Sequence, residues 1–264
     1  MSPSEPGPSI SPGISYATDG PVAIITIDRP GARNALDHAA EAELAAAAAR
    51  IAADDAVKAG VITGANGTFC AGADLSEMAA KGSAYKAWAG ADGPLSNRPA
   101  KPLIAAVEGY AVAGGLGVAL WADMRIASET AVFGVFCRRF GVPMSDGTPT
   151  RLPRVIGQGR ALDMLLTGRP VHAAEALAMG LANQVVPAGE ALETAKALAR
   201  RIAAFPPLAM LADRQAALEA FDQPEPIALV NEAESASAAK EVEAQAGAAR
   251  FAGGTGRHGD FGDG

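Results

Sequence analysis

Aromatic residues are scarce in this chain: two Trp, three Tyr and eight Phe make up 5% of its 264 residues. With so few large side chains and so much Ala, the interior has to be built from small groups at close spacing, which points to a close-packed, helix-rich protein. Cysteine is scarcer still, and Cys70 and Cys137 alone cannot form a disulfide framework. Positive charge is in deficit, with 22 Lys and Arg against 29 Asp and Glu, a net of −7. That argues against a nucleic-acid or anionic-membrane partner, because both need a basic footprint. Uncharged runs such as Gly109 to Ala122 fall short of the roughly 20 residues a membrane-spanning helix needs. No basic residue precedes Arg29, and the start MSPSEPGPSISPG is rich in Pro and Ser. No secretory signal is expected, and the location expected is cytoplasmic. His38, His172 and His258 show no ligand spacing, so no metal is expected.

What is present is enough for a real core. Hydrophobic residues make up 49% and charged ones 19%, which excludes disorder for the body of the chain. The length suits one large domain, or one with an appendage. β-type signals lie in the first half, at Val22–Asp28, Ala59–Thr63, Leu103–Val107 and Met124–Ala127. Helices fill the gaps. Asp37 caps one through the Ala-rich stretch Glu41–Ala53, Asp74 with Glu77 opens another over Leu75–Ala80, and a third starts near Ala113-Gly114. Beyond Thr148 the pattern is almost wholly helical, over 160–166, 173–179, 190–203, 208–220 and 227–249. An α/β layer with a helical C-terminal end follows, with no visible internal repeat.

Two segments could carry chemistry. Gly67–Leu75 and Glu108–Gly117 share one layout: a strand, a turn of small residues, and a helix start. Small residues let backbone N–H groups approach a ligand, and helix N-termini favour negative charge. Either loop alone reads equally as a tight turn before a helix. Together they could aim two N–H donors at one oxygen, the geometry that stabilises a developing oxyanion.

Several blocks resemble the enoyl-CoA hydratase/isomerase (crotonase) family: Ile25–Pro30 with Arg33–Asp37, Thr68–Leu75, Lys101–Val107 with Gly109–Ala111 and Gly114-Gly115, Ala122–Ala127, Arg151–Gly157, Leu166–Arg169, and Ala173–Ala176 with Gly180-Leu181. They run in order and at family spacing over about residues 14–255. The resemblance implies a crotonase-like spiral of ββα units over 14–200, a helical trimerisation region over 201–255, and flexible tails at 1–13 and 256–264. It implies an acyl-CoA substrate, a homotrimer or a dimer of trimers, and no cofactor beyond the coenzyme A of the substrate. By motif position the thioester oxygen would sit on the N–H groups of Ala73 and Gly114, with Arg33, Ala35, Ala71, Asp74, Leu75 and Tyr110 along the CoA groove. The charge on the enolate would then be neutralised where it appears.

The chain departs from the family at the acid–base pair. One hydratase glutamate sits three residues after the oxyanion glycine, here Gly117; the other falls four residues after the Phe of a Phe-Gly pair, here Cys137. Both glutamates are missing, which puts ordinary water addition in doubt. Asp146 is the candidate replacement, close to where isomerase branches place an aspartate; equally, it could cap the segment Thr148–Ile156. Cys137 could be a nucleophile or acid, or a small buried filler. Arg138 and Arg139 could face a substrate carboxylate or form a surface or interface pair. Asp74 reads as a cap. Arg250 and Arg257 could reach a CoA phosphate. Two functions follow: an enolate-forming lyase or isomerase, or a catalytically silent acyl-CoA-binding protein.

Overall fold

A computed structural model describes residues 13–84, 86–90 and 93–256. The expected tail at 1–12, and residues 257–264 with Arg257 and His258, lie outside the described residues. The chain divides into two compact units, residues 1–200 and 201–264. In chain order the first contains β1 (Ile14–Asp19), β2 (Val22–Ile27), α1 (His38–Ala53), β3 (Ala59–Gly64), α2 (Leu75–Lys81), β4 (Leu103–Val107), β5 (Tyr110–Val112), α3 (Gly114–Trp121), β6 (Met124–Ser128), β7 (Val132–Gly134), α4 (Thr148–Ile156), α5 (Gln158–Thr167), β8 (Val171–His172), α6 (Ala173–Ala178), β9 (Gln184–Val186) and most of α7 (Ala191–Ala203).

The main sheet has the order β1-β2-β3-β4-β6-β9, antiparallel at β1–β2 and parallel elsewhere. Every residue of β4 is buried, and so are the first five of β3. Their unbroken apolar runs fit parallel strands covered on both faces. Helix α1 lays Ala40, Leu44, Ala47 and Ile51 into the core at helical spacing. A second layer carries β5-β7-β8, joined by isolated bridges from Leu36 to Ala73 and from Cys70 to Ala111. The chain thus repeats strand, short second strand, helix along the sheet. The sequence hides this repeat because each second strand is three residues or fewer.

The same shortness corrects the expectation that β structure ends in the first half: β7, β8 and β9 lie in the second. They are two or three residues long, too short for a period-2 signal. In the second unit, α8 (Pro207–Glu219) and α9 (Glu225–Ser235) precede a segment of Ser237–Ala239, a wide π turn at Lys240–Ala244, and a last helix at Gln245–Ala252. A single helix over 227–249 is therefore not formed. Its break falls at Ser235-Ala236-Ser237, where the Ser237 hydroxyl donates to the Glu234 carbonyl at 2.7 Å. Among the described residues no helix is long and apolar enough to cross a membrane.

Two buried polar side chains fix the frame of the first unit. Asn34 is in the left-handed region at φ 53–59 with its neighbour Arg33, a conformation Asn tolerates. Its amide donates to the carbonyls of Ala65 (2.9 Å) and Thr68 (2.6 Å) and accepts the Arg29 N–H at 2.8 Å. The loop after β2 is thereby tied to the loop after β3. Arg125 donates to the carbonyls of Ala119 (3.4 Å), Ala122 (3.2 Å) and Leu181 (2.6 Å), closing the C-terminal end of α3. Replacing Asn34 with Ala removes a donor from the Ala65 and Thr68 carbonyls and the acceptor from the Arg29 N–H. We expect a loss of about 2–4 kcal/mol in urea denaturation, with Asn34→Asp no better, since it cannot donate.

Candidate active site

The two small-residue loops are docked against each other. The Cys70 N–H donates to the Tyr110 carbonyl at 2.8 Å, and the Val112 N–H to the Cys70 carbonyl at 3.1 Å. A methyl group built on Gly115 would lie 2.1 Å from the Cys70 oxygen, so only glycine lets α3 seat there. On the other side of the first loop, the Leu36 N–H donates to the Gly72 carbonyl, and the Asp74 N–H to the Leu36 carbonyl, each at 2.8 Å. Because peptide groups alternate along an extended segment, the Ala73 N–H points the opposite way from that of Asp74, away from Leu36, and Ala73 itself lines a cavity. Gly114 opens α3, where the N–H has no partner within the helix. Its direction is set by Ala113, held at φ 50, ψ −127, an unusual conformation for a residue with a side chain. Strain of this kind, fixed by the Ala113 N–H to Gly134 carbonyl bond (2.9 Å), is located at the loop that aims the donor.

The cavity measures about 550 Å³. It brings together Arg33, Ala35, Ala71, Ala73, Asp74, Leu75, Gly114, Cys137 and Asp146 from the sequence-derived set. Gly117 and Tyr110 stand apart from it. Tyr110 is half exposed on β5, where its buried neighbours Ala111 and Val112 face inward. Gly117 is behind the wall, and its missing side chain explains what stands in front. A methyl group built on Gly117 would lie 2.5 Å from Asp146 Cγ and 2.7 Å from its Oδ2. The Asp146 carboxyl therefore fills the space a side chain at 117 would take. Gly114 and Gly117 are one turn apart on the same face of α3, and Gly114 and Asp146 line the same cavity.

Asp146 is 4% exposed. Its Oδ1 accepts the Thr148 N–H at the start of α4 (2.9 Å), and Arg151 donates to its carbonyl at 3.4 Å. It thus serves the helix start and lines the cavity at once. Burial pushes its proton affinity above the usual carboxylate range, partly offset by the Thr148 bond. Cys137 lines the same cavity with its Sγ 3.0 Å from Met144 Sδ. Burial, and then the charge of Asp146, raise its pKa, so the thiol stays protonated at neutral pH and is no thiolate nucleophile. Cys70 is fully buried and pushed up to about 12 by desolvation. Asp74 caps α2 through the N–H groups of Ser76 and Glu77. Arg138 and Arg139 are exposed, donating to the carbonyls of Leu165 and Gly168, and neither lines the cavity. Arg250 is exposed on the last helix. Among the described residues no group of three His, Cys, Asp or Glu could hold a metal.

Several wall residues carry no signal in the motifs: Trp88, Phe136, Phe140, Val142, Pro143 and Met144. Trp88 comes from the stretch between α2 and β4, where no pattern marks its partner in space. The one available hint is Glu41, a carboxylate on the apolar face of an Ala-rich helix.

Comparison with known proteins agrees with this fold. The model of the enoyl-CoA hydratase/isomerase family matches residues 17–255. An enoyl-CoA hydratase (EchA19) of Mycobacterium tuberculosis is 40% identical over 215 residues, 78% of this chain and 80% of that protein. The (E)-benzylidenesuccinyl-CoA hydratase of Thauera aromatica is 38% identical over 207 residues, 77% of this chain and 81% of its own. Among solved structures, the enoyl-CoA hydratase EchA1 of Mycobacterium marinum superposes with a TM-score of 0.86 at 35% identity, covering 92% of this chain and 96% of that one. The chain belongs to the enoyl-CoA hydratase/isomerase family and has the crotonase fold.

Two outcomes follow from the packing at Gly117. Introducing Gly117→Glu alone drives a side chain into Asp146, and we expect a loss of about 3 kcal/mol. Adding Asp146→Ala should recover part of that loss, a coupling read from a double-mutant cycle in urea. Asp146→Asn should also raise the melting temperature. A carboxyl whose proton affinity is raised by folding binds more protons folded than unfolded. Its contribution therefore declines as pH rises from about 4. The asparagine gain should be present at pH 7–8 and vanish at pH 3, where both side chains are neutral.

Proposed function

We propose that this protein binds an acyl-CoA thioester, holds its carbonyl oxygen on the N–H groups of Ala73 and Gly114, and forms the enolate with Asp146 as the proton carrier. The observation that carries this is the exchange at Gly117: a carboxyl from the loop before α4 stands where a side chain from α3 would otherwise project. In the family resemblance that position belongs to a hydratase glutamate. The carboxyl function is thus supplied from a different element, not lost.

In the step itself the Asp146 carboxylate takes a proton from the carbon next to the thioester carbonyl. The C–H electron pair becomes the new carbon–carbon π bond, and the carbonyl π pair moves to oxygen. The negative oxygen is met by two N–H dipoles and by the N-terminal end of α3, in a site lined mostly by apolar groups. Desolvation serves this role by making Asp146 a stronger base. Return of the proton, to the same carbon or further along a conjugated chain, completes an exchange or an isomerisation. One carboxyl with a protonated thiol at Cys137 suits such proton shuttling better than the two-carboxylate activation of water. The exposed apolar side chains of the second unit, such as Phe221, Leu229, Val230 and Phe251, support assembly as a trimer or a pair of trimers.

The silent acyl-CoA binder is the second reading, and the pairing of Gly117 with Cys137 is the observation that favours it. Incubation in heavy water with saturated and 2-enoyl-CoA thioesters separates the two by mass. Under the proposal deuterium enters the thioester without gain of a whole water. Asp146→Asn should slow that exchange about 10²–10⁴-fold while leaving acyl-CoA binding in place. Gain of heavy water would mean hydration. Binding with no mass change would establish the silent binder and remove Asp146 from any mechanism.

A further inference from the structure

Beside the proposed oxyanion donor one wall of the cavity is an indole ring. Trp88 is 3% exposed and lines the cavity together with Gly114. A methyl group built on Gly114 would lie 2.5 Å from Trp88 Cζ3 and 2.8 Å from its Cη2. One edge of the indole therefore lies against the backbone that would hold the thioester oxygen, and the absent side chain of Gly114 is what admits it.

The ring is fixed from three directions. Its Nε1–H donates to Oε1 of Glu41, a carboxylate only 5% exposed on the inner face of α1. The Trp88 carbonyl accepts the Leu95 N–H at 2.9 Å. The next residue, Ala89, donates its N–H to the Ser145 carbonyl at 2.7 Å, tying the Trp88 segment to the residue before Asp146. An indole bonded to a buried carboxylate on a separate helix cannot turn aside without losing that charge-assisted bond. Such a wall behaves as fixed, not as a side chain that yields to a ligand.

We infer that Trp88, latched by Glu41, is the closed end of the acyl pocket and restricts the protein to short acyl thioesters. This rests on the acyl-CoA function proposed above. A chain leaving a carbonyl seated on Gly114 meets the indole within a few carbons, so further methylenes find no room there and are forced against the fixed ring, which costs affinity. In an open apolar pocket each added methylene would strengthen binding about fourfold.

The test is binding of butyryl-, hexanoyl- and octanoyl-CoA to the full-length protein, followed by calorimetry. Wild type should bind butyryl-CoA and lose at least tenfold in affinity by octanoyl-CoA. Trp88→Ala should reverse the order, with octanoyl-CoA at least tenfold tighter than butyryl-CoA. Glu41→Ala should flatten the profile, and Glu41→Gln, which keeps an oxygen acceptor for the indole N–H, should resemble wild type. An affinity that climbs with chain length in the wild type would overturn the inference while leaving acyl-CoA binding intact, as would a Trp88→Ala profile identical to wild type. Absence of binding for all three thioesters would overturn the acyl-CoA function itself, and this inference with it. Because the wild-type profile alone decides the matter, a Trp88→Ala protein that fails to fold does not leave it open.

Discussion

The site depends on how closely one helix end can approach one loop. Gly115 sits where a single methyl group would strike the Cys70 carbonyl, and the exchange of backbone hydrogen bonds between Cys70, Tyr110 and Val112 holds that contact. If the two segments stood even an ångström apart, that docking would be lost. Small residues are therefore required by the close approach itself. The strain at Ala113 is consistent with the same demand, since the turn into α3 is bent to aim its first N–H.

A second exchange of volume sets the surroundings of Asp146. Gly117 leaves a hole on α3, and Asp146 fills it from another element. The carboxyl gains a backbone N–H from α4 but gives up solvent, and the balance raises its proton affinity. The same environment holds Cys137 as a thiol. Burial of an ionisable group in an apolar wall is costly to stability, and such groups concentrate where proton transfer is needed. Trp88 repeats the logic at Gly114: a missing side chain on α3 is occupied by a group from a distant segment. Along one face of this helix, two glycines are thus each paired with a side chain supplied from elsewhere.

Much of this was legible in the residues. Continuous apolar runs marked β2, β3, β4 and β6; Asp37 and Asp74 marked the starts of α1 and α2; and the two small-residue loops stood out by their shared layout. Local patterns fail where structure is made by distant pairing. Strands β5, β7, β8 and β9 are short enough that only their neighbours define them. The break after Ser235 competes locally with a helix that composition alone would extend.

The sequence by itself determined the family, the strand–helix order and the presence of two backbone anion loops, because those properties are written in contiguous residues and their spacing. It also placed Gly117 and Cys137 where the family resemblance leads one to expect glutamates. Only the tertiary structure decided which group occupies the space beside Gly117 and what lines the cavity. Gly117 meets Asp146 across 29 positions, Glu41 meets Trp88 across 47, and Gly114 meets Trp88 across 26, contacts whose partners share no local periodicity. A glycine in a sequence records only that a side chain is missing. Which group enters the space is settled by packing, since a close-packed interior leaves no such volume empty.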